Sequence, residues 1–110
     1  MRFKNIHIII NPASGQDEPI LPHLNKAFQN TGIHWDVSVT KQEHDAAVLT
    51  RQLIGKTDVI VVYGGDGSVS EVAQELIGKE TPLAIIPIWA TWEWLTIMRR
   101  SQISRFNSMI

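Results

Sequence analysis

The chain has 110 residues, enough for one domain with a single modest core and too few for a second domain of ordinary size. Ten basic and eleven acidic side chains give a net charge of -1, so there is no basic field for a nucleic-acid backbone and nucleic acid is not an expected partner. With no cysteine, neither a disulfide framework nor a thiolate metal site can form, and a reducing cytoplasm is the expected setting.

Phe3 to Ile10 ends in the unbroken run Ile8-Ile9-Ile10, which predicts a strand covered on both faces, stopped by Asn11-Pro12. Its apolar run is shorter than the roughly 7 to 15 residues of a signal-peptide core. No segment approaches the roughly 20 apolar residues that span a bilayer. Leu21, Leu24, Ala27 and Phe28 recur at helical spacing and Gly32 follows as a stop. Trp35 to Thr40 alternates Trp35, Val37 and Val39 against Asp36, Ser38 and Thr40, a second strand. Asp45 is the expected N-cap of a helix carrying Ala47, Val48, Leu53 and Ile54, closed by Gly55. Asp58 to Tyr63 is a continuous β-branched strand. Ser68 then caps a helix with Val69, Val72, Ala73, Leu76 and Ile77 on one face, ended by Gly78. Pro82 to Pro87 encloses the short strand Leu83-Ala84-Ile85-Ile86.

This alternation of strand and helix predicts an α/β three-layer sandwich, with right-handed crossovers, a mostly parallel sheet and helices on both faces. In such sheets ligands sit at the carboxyl ends of the strands. Two loops fall at that edge: Asn11-Pro12-Ala13-Ser14-Gly15 and Gly64-Gly65-Asp66-Gly67-Ser68. Three of the seven glycines crowd into the second. Glycine between strand and helix can take positive φ and lets the backbone close on phosphate oxygens, and the helix start adds its positive dipole end. Asp66 would repel a phosphate without an intervening cation, so it reads either as a magnesium contact or as an acceptor for a substrate hydroxyl. The loop matches neither the Walker nor the dinucleotide pattern. A sharp strand-to-helix turn without a ligand is the plainer alternative.

Together, Ile9-Ile10-Asn11-Pro12-Ala13-Ser14-Gly15, Tyr63-Gly64-Gly65-Asp66-Gly67-Ser68-Val69-Ser70-Glu71-Val72 and Pro82 to Pro87 resemble the catalytic domain of the diacylglycerol kinase family, which includes sphingosine, ceramide and bacterial lipid kinases. The resemblance implies a fold like that of lipid and NAD kinases, and ATP and magnesium as cofactors. It implies that Asn11, Pro12, Ala13, Ser14 and Gly15, with Gly64, Gly65, Asp66, Gly67, Ser68, Val69 and Ser70, bind the ATP phosphates. Ser68 stands where the family more often has threonine, and Thr40 matches a nucleotide-contacting position. The early Asn-Pro-x-Ser-Gly favours the lipid-kinase branch over nicotinamide-nucleotide kinases and phosphofructokinases, which share a similar glycine loop.

The family continues with a second glycine loop of the form Gly-Thr-x-Asn. Here Trp89-Ala90-Thr91-Trp92-Glu93-Trp94 follows instead, so residues 1–91 are expected to form the nucleotide-binding domain and 92–110 a divergent tail. Two readings of that tail stay open. It is an amphipathic helix packing Trp92, Leu95 and Met98 on the sheet, or it is out of frame. Reading one base later turns each tryptophan codon into glycine, and Trp92-Glu93-Trp94 into Gly, Asn or Ser, Gly. The family's second domain, which binds lipid and supplies the catalytic base, has no counterpart in the sequence.

His7, His23, His34 and His44 lack metal-ligand spacing and read as scattered surface residues. The resemblance thus implies the ATP-binding portion of a lipid kinase, with no catalytic residue identified, lipid bound only if a second domain is supplied, and no activity alone. A noncatalytic nucleotide- or partner-binding module, or a degenerate remnant, is the alternative.

Overall fold

The computed structural model describes residues 3–12 and 20–87. The residues Ala13, Ser14 and Gly15 of the first loop, and the tail after Pro87, lie outside them. Among the described residues seven elements alternate: β1 (Asn5–Ile10), α1 (Ile20–Phe28), β2 (His34–Val39), α2 (Asp45–Leu53), β3 (Val59–Gly64), α3 (Asp66–Leu76) and β4 (Leu83–Pro87). The four strands form one sheet in the order β2-β1-β3-β4, every neighbouring pair parallel.

Because side chains alternate across a strand, the two central strands each feed two cores. Ile6, Ile8 and Ile10 of β1 and Val59, Val61 and Tyr63 of β3 pack under Leu24 and Phe28 of α1. Ile9, Ile60 and Val62 point the other way, onto Ala46 of α2 and Val72 and Leu76 of α3. The result is three layers, with α1 on one face and α2 and α3 on the other. Ile8, Ile9 and Ile60 are fully buried, which is why both central strands read as unbroken apolar runs. Burying each such side chain contributes roughly 1.5–3 kcal/mol. At the β2 edge the Phe28 and Trp35 rings lie 6.1 Å apart and close the α1 core.

Several expected details differ. Both helices on the second face start one way or another off their expected caps. The N-cap of α2 is His44, in a left-handed conformation (φ 70, ψ 0) and with no side-chain cap. Asp45 instead turns its carboxylate back to accept the Lys41 and Gln42 backbone N–H groups at 2.8 and 3.1 Å. Those bonds, the Lys41 one foremost, hold it below the usual aspartate range. In α3 the N-cap is Gly65, three residues before the first-turn Ser68, which is buried and engaged elsewhere. Leu21, Val39, Val48 and Ile77 are exposed, against their expected inward faces; Ala46 and Thr50 are the buried positions of α2. Thr50 is tolerated there because its hydroxyl donates to the Ala46 carbonyl at 2.7 Å.

Candidate functional site

β1 sends the chain to β2 on one side, and β3 sends it to β4 on the other. The switch between these directions lies between the carboxyl ends of β1 and β3, the position where open parallel sheets form a ligand crevice. The last rungs there pair Ile10 with Tyr63, and the Asn11 N–H donates to the Tyr63 carbonyl at 3.0 Å. On the other side of β1 the Thr40 N–H donates to the Ile10 carbonyl at 2.9 Å. Both loops are thereby fixed to the sheet rather than free above it.

A cavity of about 530 Å³ opens at this edge. Asn11 and Pro12 line it from the end of β1, and Thr40, Lys41, Gln42, Glu43 and His44 line it from the loop after β2. Ala46 of α2 and Gly67, Ser68 and Glu71 of α3 complete the wall. Both helices start at this edge, and the first-turn N–H groups of a helix have no partner within it. The lining therefore offers two side-chain amides, two hydroxyls, Lys41 and two positive helix ends, opposed by the carboxylates Glu43 and Glu71. That is a donor-rich surface suited to an anionic ligand with room for a small molecule.

The floor is one tight contact. Asn11 Nδ2 donates to Ser68 Oγ at 2.6 Å, joining residues 57 apart in sequence. Gly64 makes this possible: a Cβ there would sit 3.2 Å from Asn11 Cβ and 3.3 Å from Ser68 Cβ. The expected positive φ of this loop is not used. Among the described glycines positive φ belongs to Gly32, Gly55 and Gly78, while Gly65 is extended at φ -87, ψ -176, open to any residue. Close packing, not a left-handed turn, is what requires glycine at 64.

Of the expected site residues, the structure brings Asn11, Pro12, Thr40, Gly67 and Ser68 together around the cavity. Gly64 lies beneath it, and Gly65 forms the α3 N-cap. Asp66 is exposed on the first turn of α3 and does not line the cavity. Val69 packs into the α2–α3 core, and exposed Ser70 accepts from Gln74 Nε2 at 3.4 Å. No group of three metal-binding side chains occurs among the described residues.

Sequence reasoning missed the pair His44 and Glu71, whose Nδ1 and Oε1 lie 3.1 Å apart across the cavity wall. Glu71 stood in the recognised motif without a role, and His44 had no spacing signal, since 27 residues separate the two. His7 is likewise not a loose surface residue. It is partly buried, with Nε2 2.7 Å from Ser38 Oγ, and burial pulls its pKa below 6.5 against the opposing pull of Asp36.

The chain matches the family description of the diacylglycerol kinase catalytic domain over residues 5–89. Sphingosine kinase B of Dictyostelium discoideum is 33% identical over 94 residues, covering 76% of this chain and 12% of that protein. The diacylglycerol kinase of Bacillus subtilis is 28% identical over 94 residues, covering 81% of this chain and 31% of that protein. Among solved structures, a diacylglycerol kinase from Bacillus anthracis superposes with a TM-score of 0.70 at 26% identity, covering 91% of this chain and 43% of that one. The chain thus spans less than half the length of each of these relatives. With the motif loops at one sheet edge and this match over most of its length, the chain belongs to the diacylglycerol kinase catalytic-domain family.

Proposed function

We propose that the cavity holds the phosphates of ATP and that this chain is the nucleotide-binding part of a lipid kinase. The observation that carries the reading is the cavity itself: about 530 Å³, at the switch point of a parallel sheet, with Asn11, Thr40, Lys41 and Ser68 on its walls. A volume in the range of roughly 300–1,000 Å³ accommodates a small ligand. In the proposed reaction a lipid hydroxyl oxygen bonds to the γ-phosphorus as the bond to the β-phosphate bridging oxygen breaks. The hydroxyl proton passes to a base, and ADP leaves. The described residues would contribute positioning and charge compensation: Ser68, aligned by Asn11, with Thr40 and Lys41 from the opposite wall.

Asp66 is exposed and outside the cavity lining, and the described residues form no cluster of three ligands, so they do not by themselves build a metal site. Any magnesium would arrive with the triphosphate rather than be held by these residues alone. The acceptor lipid and the base are assigned to the additional length that the relatives possess, so that the 110-residue chain binds nucleotide without phosphorylating lipid. No helix among the described residues is long and apolar enough to cross a membrane.

Isothermal titration with ATP, paired with an assay of labelled phosphate transfer to diacylglycerol, tests both halves. Saturable binding without transfer is the expected result. Absence of saturable heat at millimolar ATP overturns the nucleotide site, and transfer abolished by Ser68→Ala overturns the division of labour.

A further inference from the structure

Among the described residues the sheet ends in two edges, β2 and β4, and the two are guarded differently. β4 is bracketed by Pro82 and Pro87, which have no N–H to offer an incoming strand. β2 carries no proline and no lysine, and it keeps an unbulged register with β1 from His34 to Val39. Its inner side is fixed by the N–H groups of His34 and Thr40, which donate to the Lys4 and Ile10 carbonyls at 2.8 and 2.9 Å. In a parallel pair every second residue turns both its N–H and its C=O to the neighbouring strand. The alternate residues Trp35, Val37 and Val39 therefore turn theirs outward, and no backbone group among the described residues meets them. Val39, at the end of this edge, is 48% exposed.

We infer that β2 is an interaction edge for a second copy of this chain, pairing antiparallel with the partner's β2 about a two-fold axis at Val37. The inference stands independently of the nucleotide reading.

The register follows from which residues face out. A two-fold contact sets the strand against itself, and the ladder closes only where an outward residue opposes an outward residue. Centred on Val37, the pairing joins Val37 to the partner's Val37 and Trp35 to the partner's Val39, which uses every outward N–H and C=O of the strand. Moving the centre to Asp36 sets two carboxylates directly opposite each other on one face, which is destabilising. Moving it to Ser38 leaves Trp35 opposite the partner's Lys41, beyond the end of the strand.

Side chains agree with the Val37 centre. Trp35 and Val37 pack on the α1 side of the sheet, and alternation puts Val39 on that side too. Pairing therefore covers exposed Val39 with the partner's Trp35. On the other side Asp36 falls opposite the partner's Ser38, at the rim of a depression lined by Ser38, Lys41 and Val48, so the carboxylate approaches a cation rather than its own copy. His34 falls opposite the partner's Thr40, which lines the larger cavity, so the interface reaches the outer wall of that site. Because the paired strands run in opposite directions, the two cavities open at opposite ends of the joined sheet.

The test uses the full chain, as wild type and as Val39→Lys. A lysine is one of the devices by which edge strands resist pairing, and at this exposed position it leaves the buried α1 core in place. Sedimentation of the wild type at concentrations up to about 1 mM should show a mass rising from that of one chain towards that of two. Amide hydrogen exchange, read by NMR at both ends of the concentration range, locates the contact. The Trp35, Val37 and Val39 amides should exchange freely when dilute and slow by about tenfold where about nine chains in ten are paired. The His34, Asp36 and Ser38 amides, already turned to β1, should change little. Val39→Lys should stay monomeric with an otherwise wild-type amide spectrum. A wild-type mass that remains that of one chain throughout overturns the proposal. So does a dimer whose Trp35, Val37 and Val39 amides still exchange freely, because its contact lies elsewhere, and so does a folded Val39→Lys chain that dimerises as the wild type does. If Val39→Lys does not fold, the wild-type exchange pattern decides the matter alone.

Discussion

Asn11 and Ser68 meet at 2.6 Å, side chain to side chain, joining the end of β1 to the first turn of α3. This bond fixes the two motif loops relative to each other, and Ser68 is buried while it does so. Asn11→Ala leaves that hydroxyl without its amide donor, and an unsatisfied buried polar group costs roughly 1–3 kcal/mol. Urea unfolding of Asn11→Ala, Ser68→Ala and the double variant should show a smaller loss for the double variant than the sum of the singles. Strict additivity would show that the bond contributes nothing.

Gly64 and Gly67 of this loop should respond oppositely to alanine. At Gly64 the new Cβ lies 3.2 and 3.3 Å from Asn11 and Ser68 Cβ atoms, which cannot swing aside as the end of a long side chain could. Overpacking of this kind costs about 1–3 kcal/mol, so Gly64→Ala should lower the unfolding midpoint. At Gly67 a Cβ meets nothing within 4 Å, inside a helix. Gly67→Ala should raise stability by roughly 0.5–1 kcal/mol while weakening ATP binding, because Gly67 lines the cavity. Thermal melts of both variants check the opposite signs.

Much of this architecture was legible in the sequence because its central strands are uniform. Ile8-Ile9-Ile10 and Val59 to Val62 are buried on both faces, so burial and composition coincide. The weaker elements misled for a physical reason. In α2, apolar spacing pointed to Val48, but the helix presents small Ala46 and Thr50 to the core, and Val48 is left exposed. A self-satisfied hydroxyl such as Thr50 carries no apolar signal. The Asn-Pro and Gly-Gly-Asp-Gly loops announced the site edge, yet the His44–Glu71 contact depends on how α2 and α3 lie together, which no local pattern encodes.

Acid sensitivity should trace in part to His7. Burial beside Ser38 holds its folded pKa below the ordinary 6.5, so the unfolded chain takes up the proton first as pH falls. Its contribution to stability is complete above 6.5 and is lost as pH falls through the lower folded value. Urea midpoints should therefore decline below 6.5 in wild type, and decline less steeply in His7→Gln. A wild-type midpoint that rises on acidification through this range would reverse the assigned sign.

Whether the edge between β1, β2 and α3 holds the phosphates of ATP is decided by amide NMR of the isotope-labelled chain during an ATP titration. Saturable shifts are expected at Asn11, Thr40, Gly67 and Ser68, which line the cavity from the ends of β1 and β2 and from α3. They should be strongly weakened in Ser68→Ala. Shifts that saturate instead around Val39, Val48 and Gln52, which line a separate depression on the outer side of α2, or no saturable change at all, would contradict it.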